Sequence, residues 1–211
     1  YVTAWHALER AGVTRGCKLL VLGAAGAVGS AAVMLGLWRG AAILGAERDA
    51  ELASLVASQG VQSVVVPSKQ SGQGELAQAV QGIFPGGADV IFDTTGLWLA
   101  ESVRALATFG RIAVIVAPGN GEVTLPIRAL YRRSGAIVGV NSLQYSSAEC
   151  ARLMTQIGKG FDSGELRGPQ GLEEHALAEG TQMYEALSKG RSAKIVFMMT
   201  GNEDETCRPS N

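Results

Sequence analysis

From Leu19 to Trp38 the chain reads LLVLGAAGAVGSAAVMLGLW, bracketed by Lys18 and Arg39, with no charged residue between them. Length alone would let this run cross a bilayer, which takes roughly 20 predominantly apolar residues. Its make-up points elsewhere. Gly23, Gly26, Gly29 and Gly36 dilute the apolarity, and Ala24, Ala25, Ala27, Ala31 and Ala32 supply little transfer energy. Only the opening LLVL is strongly apolar. A buried strand entering a tight turn, then a small-residue helix, has this profile. The run also lacks the layout of a secretory signal. No membrane association is expected.

The rest of the chain repeats the same rhythm. Strands are expected at Lys18–Leu22, Ala42–Ala46, Ser63–Val66, Val90–Asp93, Arg111–Val116 and Ala136–Val140. Helices are expected between them at Ala27–Trp38, Glu51–Gln59, Glu75–Ile83 and Ala100–Leu106. The strands are continuously apolar rather than alternating, which suits a parallel sheet covered on both faces. Strand–helix alternation with short connections is the α/β pattern. After it come helices at Ala148–Phe161 and His175–Ser188, a glycine-rich connection at 164–171, and a last strand at Ala193–Met199. The reading is a lead-in helix over 1–16, an α/β domain over 17–142, helices and a strand over 143–200, and a polar, disordered tail over 201–211.

With 18 basic and 19 acidic residues and a formal net charge of −1, no basic patch invites nucleic acid. Cys17, Cys150 and Cys207 are odd in number and have no metal-ligand spacing. They read as reduced thiols of a cytoplasmic protein.

Within the opening run, residues 24–29 fit G-x-G-x-x-G with alanine in the first slot. The candidate phosphate turn is Ala25, Gly26, Ala27, Val28 and Gly29, with Gly23 just before it. Such a turn needs a tight reversal after the strand. It also needs a bare backbone at Gly26 for a pyrophosphate and a bare Gly29 for close helix–strand packing. The helix N-terminus then offers free amides and partial positive charge. An acid is expected about 20 positions on, at the end of the second strand, to accept hydrogen bonds from a ribose. Glu47 stands there. Arg48, beside it, could hold a 2′-phosphate instead. Glu47 favours NAD(H), and Arg48 leaves NADP(H) open. The expected fold is therefore a Rossmann-type, doubly wound, six-stranded parallel sheet with a C-terminal helical extension. An S-adenosylmethionine-dependent methyltransferase, whose glycine turn is usually denser and preceded by an acid, is one alternative. A non-catalytic nucleotide-binding module is another.

TAWHAL, LLVLGAAGAVGSAA, ADVIFDTTG, FGRIAVIV and AKIVF at these spacings resemble the medium-chain dehydrogenase/reductase superfamily. They are most similar to its zinc-independent, quinone oxidoreductase-like branch, which includes zeta-crystallin and enoyl reductases. The resemblance covers about residues 3–199. It implies hydride transfer between NAD(P)(H) and a small quinone, enone/enoyl or carbonyl substrate, with no zinc in this chain. It also implies an N-terminal GroES-like domain, absent from this chain, that would carry most of the substrate pocket, so the chain alone is expected to be inactive. Thr94 and Thr95 match positions beneath the cofactor, Val116 and Ala117 the loop flanking the nicotinamide, and Thr3 a threonine near it. Two departures weaken an NADPH assignment: Leu52 where a lysine is common, and Pro67-Ser68 where a tyrosine is common.

No catalytic residue is assigned. Asp93 reads as a turn or capping group. His6 and His175 lack partners at metal or triad spacing. The sixth strand, Ala136–Val140, has no charge and no proline to blunt an edge. Family members commonly pair this edge, so a homodimer through Ala136–Val140 is expected.

Overall fold

The computed structural model describes residues 1–66, 74–168, 172–189 and 194–199. The tail expected at 201–211 and the Pro67-Ser68 pair lie outside them. The chain divides after Gly168 into two compact units.

The first unit contains helices α1 (Val2–Ala11), α2 (Ala27–Trp38), α3 (Ala50–Ala57), α4 (Glu75–Ile83), α5 (Leu99–Ala105), α6 (Ile127–Arg132) and α7 (Ser147–Asp162). Its strands are β1 (Lys18–Leu22), β2 (Ala42–Glu47), β3 (Gln62–Val65), β4 (Ala88–Asp93), β5 (Leu106–Val114) and β6 (Ala136–Gly139). They form one sheet in the order β3-β2-β1-β4-β5-β6, with every neighbouring pair parallel. This is the six-stranded doubly wound architecture expected, with β6 at one edge.

Alternate residues of β1 feed two cores. Leu19 and Val21 face the layer built by α1, α2, α3 and α7, together with Val90, Phe92 and Ala113. Leu20 and Leu22 face the layer of α4, α5 and α6, with Ile91, Leu106 and Ile112. All four of these β1 side chains are 0% exposed, and β2 and β4 are buried in much the same way, so these central strands must be apolar on both faces. This accounts for the continuous apolar runs. Helix α2 explains the uncharged stretch. It buries Gly29 through Val33, Leu35 and Gly36 and lies on β1 and β2. No helix among the described residues is long and apolar enough to cross a membrane.

Helix ends follow local chemistry. The Asp49 side chain caps α3 by accepting from the Leu52 amide at 2.9 Å. Ser146 and Glu149 form a reciprocal capping box at the start of α7.

Three readings change. Helix α6 was not foreseen. It has no buried residue, hence no apolar period to reveal it. Strand β5 begins at Leu106 rather than Arg111, and its pairing with β4 shifts register between Ala88 and Val90. In the second unit, the helix expected over 175–188 starts only at Gly180 (α8, Gly180–Ser188). Leu172–Ala176 instead forms strand β7, parallel to β8 (Lys194–Met198). Strand pairing here overrides a sequence, LEEHA, with little strand propensity.

Candidate functional site

The strand order reverses between β1 and β4, and open α/β sheets bind ligands at the carboxyl ends of strands at such a point. The chain leaves β1 at Gly23 with φ +73, in the left-handed region that favours glycine. A Cβ on Gly29 would lie 2.0 Å from the Gly23 carbonyl oxygen and 2.8 Å from the Ala24 Cα. Helix and turn can therefore approach this closely only with glycine there, as expected. Gly26 differs. Its φ is −66°, an ordinary value, and a Cβ would sit 3.2 Å from the Gly23 oxygen. Gly26 and Ala27 are exposed and Val28 is half-buried. Gly26 is the N-cap of α2, and no side chain caps that end. The amides of Ala27, Val28 and Gly29 thus stand at an open, positively polarised helix terminus, which suits an anion.

Glu47 ends β2 with only 4% of its surface exposed. Its Oε1 accepts from the Ala25 amide at 2.5 Å, so the carboxylate braces the glycine turn, a role that spacing alone did not show. Burial pushes its carboxyl above the ordinary range. The Ala25 amide pulls it back, Asp49 adds to the rise, and Arg48 opposes it. Arg48 is largely exposed and pairs with Asp49 at 3.4 Å.

Thr94 and Thr95 follow β4. The Thr94 hydroxyl donates to the Leu22 carbonyl at 2.7 Å. A Cβ on Gly23 would meet Thr94 Oγ1 at 2.6 Å and Thr95 Cγ2 at 2.8 Å, so this loop lies directly against the glycine turn. Val116 and Ala117 are exposed beyond β5. Gly96 backs on them: its Cβ would be 3.0 Å from the Ala117 carbonyl carbon and 3.1 Å from the Val116 oxygen. The structure thus gathers the glycine turn, Glu47, Thr94-Thr95 and Val116-Ala117 along one end of the sheet.

Sequence reading missed two partners. Ser142, just beyond β6, accepts a hydrogen bond from Thr3 Oγ1 at 3.1 Å. Nothing local marks it; only the packing of α1 near the end of β6 does. His6 stacks on Tyr145 with centroids 3.5 Å apart, and burial pushes its imidazole down against the opposing pull of Glu149 and Glu9. In the second unit His175 does have acidic neighbours, Glu179 at 2.6 Å and Glu173 at 3.6 Å. The i, i+2 spacing along β7 brings in the second of these.

Residues 27–158 match the zinc-binding dehydrogenase family, which is more than half of the chain. The chain belongs to this family, within the medium-chain dehydrogenase/reductase superfamily. It is 30% identical over 209 residues to a zinc-type alcohol dehydrogenase-like protein of Schizosaccharomyces pombe, covering 96% of this chain and 59% of that protein. It is 27% identical over 200 residues to sorbitol dehydrogenase of Pongo abelii, covering 94% and 54%. A solved NAD-dependent alcohol dehydrogenase superposes with a TM-score of 0.78 at 25% identity, over 93% of this chain and 55% of that one. The chain therefore spans little more than half the length of these proteins. Membership places it with dehydrogenases rather than methyltransferases. The family description names zinc, yet among the described residues no group of three or more His, Cys, Asp or Glu is arranged to hold a metal ion. The described residues do not fit a zinc site.

Proposed function

We propose that this chain is the dinucleotide-binding part of an NAD(P)(H)-dependent oxidoreductase of the zinc-independent, quinone oxidoreductase-like kind. Its hydride passes to or from a quinone, an enone or enoyl group, or a carbonyl. The observation that carries the reading is the uncapped N-terminus of α2 behind the Gly23–Gly29 turn, at the point where the strand order reverses. A bound nicotinamide supplies the hydride chemistry. The chain's own residues bind and orient. The amides of Ala27, Val28 and Gly29 hold the pyrophosphate, and bare Gly26 lets it approach. Glu47 meets the adenosine ribose while bracing Ala25. Thr94-Thr95 and Val116-Ala117 support the nicotinamide half. NAD(H) is preferred, because Glu47 repels a 2′-phosphate and the Arg48 guanidinium is paired with Asp49.

The chain by itself does not turn over substrate. A substrate needs a second wall to be held in near-attack geometry, and the solved relatives are longer. The exposed edge of β6 pairs with that of a second copy through Ala136–Val140, which satisfies its free amides and carbonyls. The reading places the protein in the cytoplasm.

Calorimetry with NADH, NADPH and S-adenosylmethionine tests the central claim. NADH is expected to bind, more tightly than NADPH. Binding of S-adenosylmethionine alone, or of none of the three, would overturn it.

A further inference from the structure

Asp93 sits where the three loops of the dinucleotide site converge. It is the last residue of β4, in register with Leu22, the last residue of β1, on one side. On the other side it is in register with Val114, the last residue of β5. Its side chain is 0% exposed. One carboxylate oxygen, Oδ1, accepts three hydrogen bonds: from the Thr95 amide at 2.9 Å, the Thr95 hydroxyl at 2.8 Å and the Gly96 amide at 2.9 Å. The other, Oδ2, is buried without a partner. A buried carboxylate with one unpaired oxygen is an expensive way to end a strand. Sites that break the rules of a well-satisfied core tend to be ones that position something.

What Oδ1 holds is a wedge. Thr94 hydrogen-bonds back to the carbonyl of Leu22. The Thr95 methyl fills the space beneath Gly23, and Gly96, at φ +71, rests against Val116 and Ala117. The Thr94–Gly96 segment therefore touches the phosphate turn on one side and the Val116–Ala117 loop on the other. A group that fixes its shape fixes the distance between those two loops.

We infer that Asp93 is a positioning residue for the dinucleotide: its carboxylate clamps Thr95 and Gly96 and so sets the spacing between the pyrophosphate turn and the Val116–Ala117 loop. This rests on the cofactor reading above. Asp93 touches no cofactor and moves no proton.

The test compares Asp93→Ala, Asp93→Asn and, as a control, Val103→Ala. Val103 is 0% exposed on α5, and its side chain can make no hydrogen bond to these loops. NADH affinity is measured by calorimetry, stability by urea unfolding, and amide hydrogen exchange at Thr95 and Gly96 without cofactor. Asp93→Ala should weaken NADH binding by roughly tenfold or more, as loss of an acceptor shared by three donors implies. It should also speed exchange at both amides. Asp93→Asn keeps a carbonyl oxygen for the same donors and should stay within roughly threefold of the parent chain. Val103→Ala should lower stability but leave NADH affinity in that same range. The inference falls if Asp93→Ala binds NADH like the parent, if Asp93→Asn is as poor as Asp93→Ala, or if Val103→Ala loses as much affinity. A parent chain that protects the two amides yet binds no dinucleotide overturns the cofactor reading instead.

Discussion

The turn after β1 and the loop after β4 lie against each other, and each leaves a strand buried over all but one residue, but they are shaped by opposite means. The β1 turn is made by leaving side chains out. Gly23 supplies the left-handed backbone, and Gly29 leaves the gap into which the turn fits. The β4 loop is made by putting one in: the Asp93 carboxylate gathers Thr95 and Gly96 around a single oxygen. A gap is a property of spacing, so it shows in a motif. A clamp depends on where a buried side chain points, so it looks like any acid at a strand end. Glu47 belongs to both kinds. Spacing marked it for the ribose, and packing gave it a second partner in the Ala25 amide.

The contrast can be broken most severely at Gly29. Gly29→Val places a side chain where a Cβ alone would be 2.0 Å from the Gly23 oxygen. Urea unfolding should show a loss of about 3 kcal/mol or more, since neither helix nor strand can give way. Only slight destabilisation would show that the gap is not what sets the turn. Gly26→Val sharpens the distinction. The position is exposed and its backbone is ordinary, so the fold should persist while calorimetry finds NADH binding weakened at least tenfold, by roughly 1.4 kcal/mol or more. Parent-like affinity would remove the phosphate turn from the site.

Smaller changes probe the side-chain half of the comparison. Glu47→Ala removes the carboxylate proposed to meet the ribose, and on that proposal the ratio of NADPH to NADH affinity should rise by roughly tenfold. If the parent already prefers NADPH, Arg48 and not Glu47 governs the choice. Thr94→Val deletes the hydroxyl that donates to the Leu22 carbonyl and should lower stability by about 1 kcal/mol.

Glu47 also carries a pH signature. Burial holds its folded carboxyl above the ordinary value of 4.5, so the folded chain binds this proton more tightly than the unfolded one. The cost of ionising it is fully present above the folded value and is relieved as pH falls through that value towards 4.5. Relative to Glu47→Gln, the parent should therefore gain stability on going from neutral to mildly acid pH, by urea unfolding. A difference independent of pH would mean that the carboxylate is not strained by burial.

Much of this was open to a reader of the chain alone. The central strands β1, β2 and β4 announced themselves because they are buried on both faces, the edge strands β3 and β6, with no fully buried residue, by their apolar residues alone, and the helix α2 because it has almost no polar side. The turn was legible from glycine spacing. The elements that escaped carry weak local signals. Helix α6 packs only the half-buried Ala129 and Leu130 against the core, and β7 places Glu173 and His175 on one face of a polar strand, which no apolar alternation betrays. Ser142 escaped as a site residue because its partner, Thr3, is far away in sequence.

By itself the sequence determined the fold class and the glycine turn, because burial on both sheet faces and the bare glycine backbone write themselves into local pattern. The roles of the two strand-end acids were decided only in three dimensions. Asp93 and Glu47 have similar neighbourhoods in the chain: an apolar run before them and polar residues after. Sheet register sets Leu22 beside Ala46 on one flank and beside Asp93 on the other. That brings the glycine turn over Glu47 and the threonine loop under Gly23. A carboxylate binds whichever donors lie within about 3 Å of it, and donors from other strands are chosen by packing rather than by sequence distance.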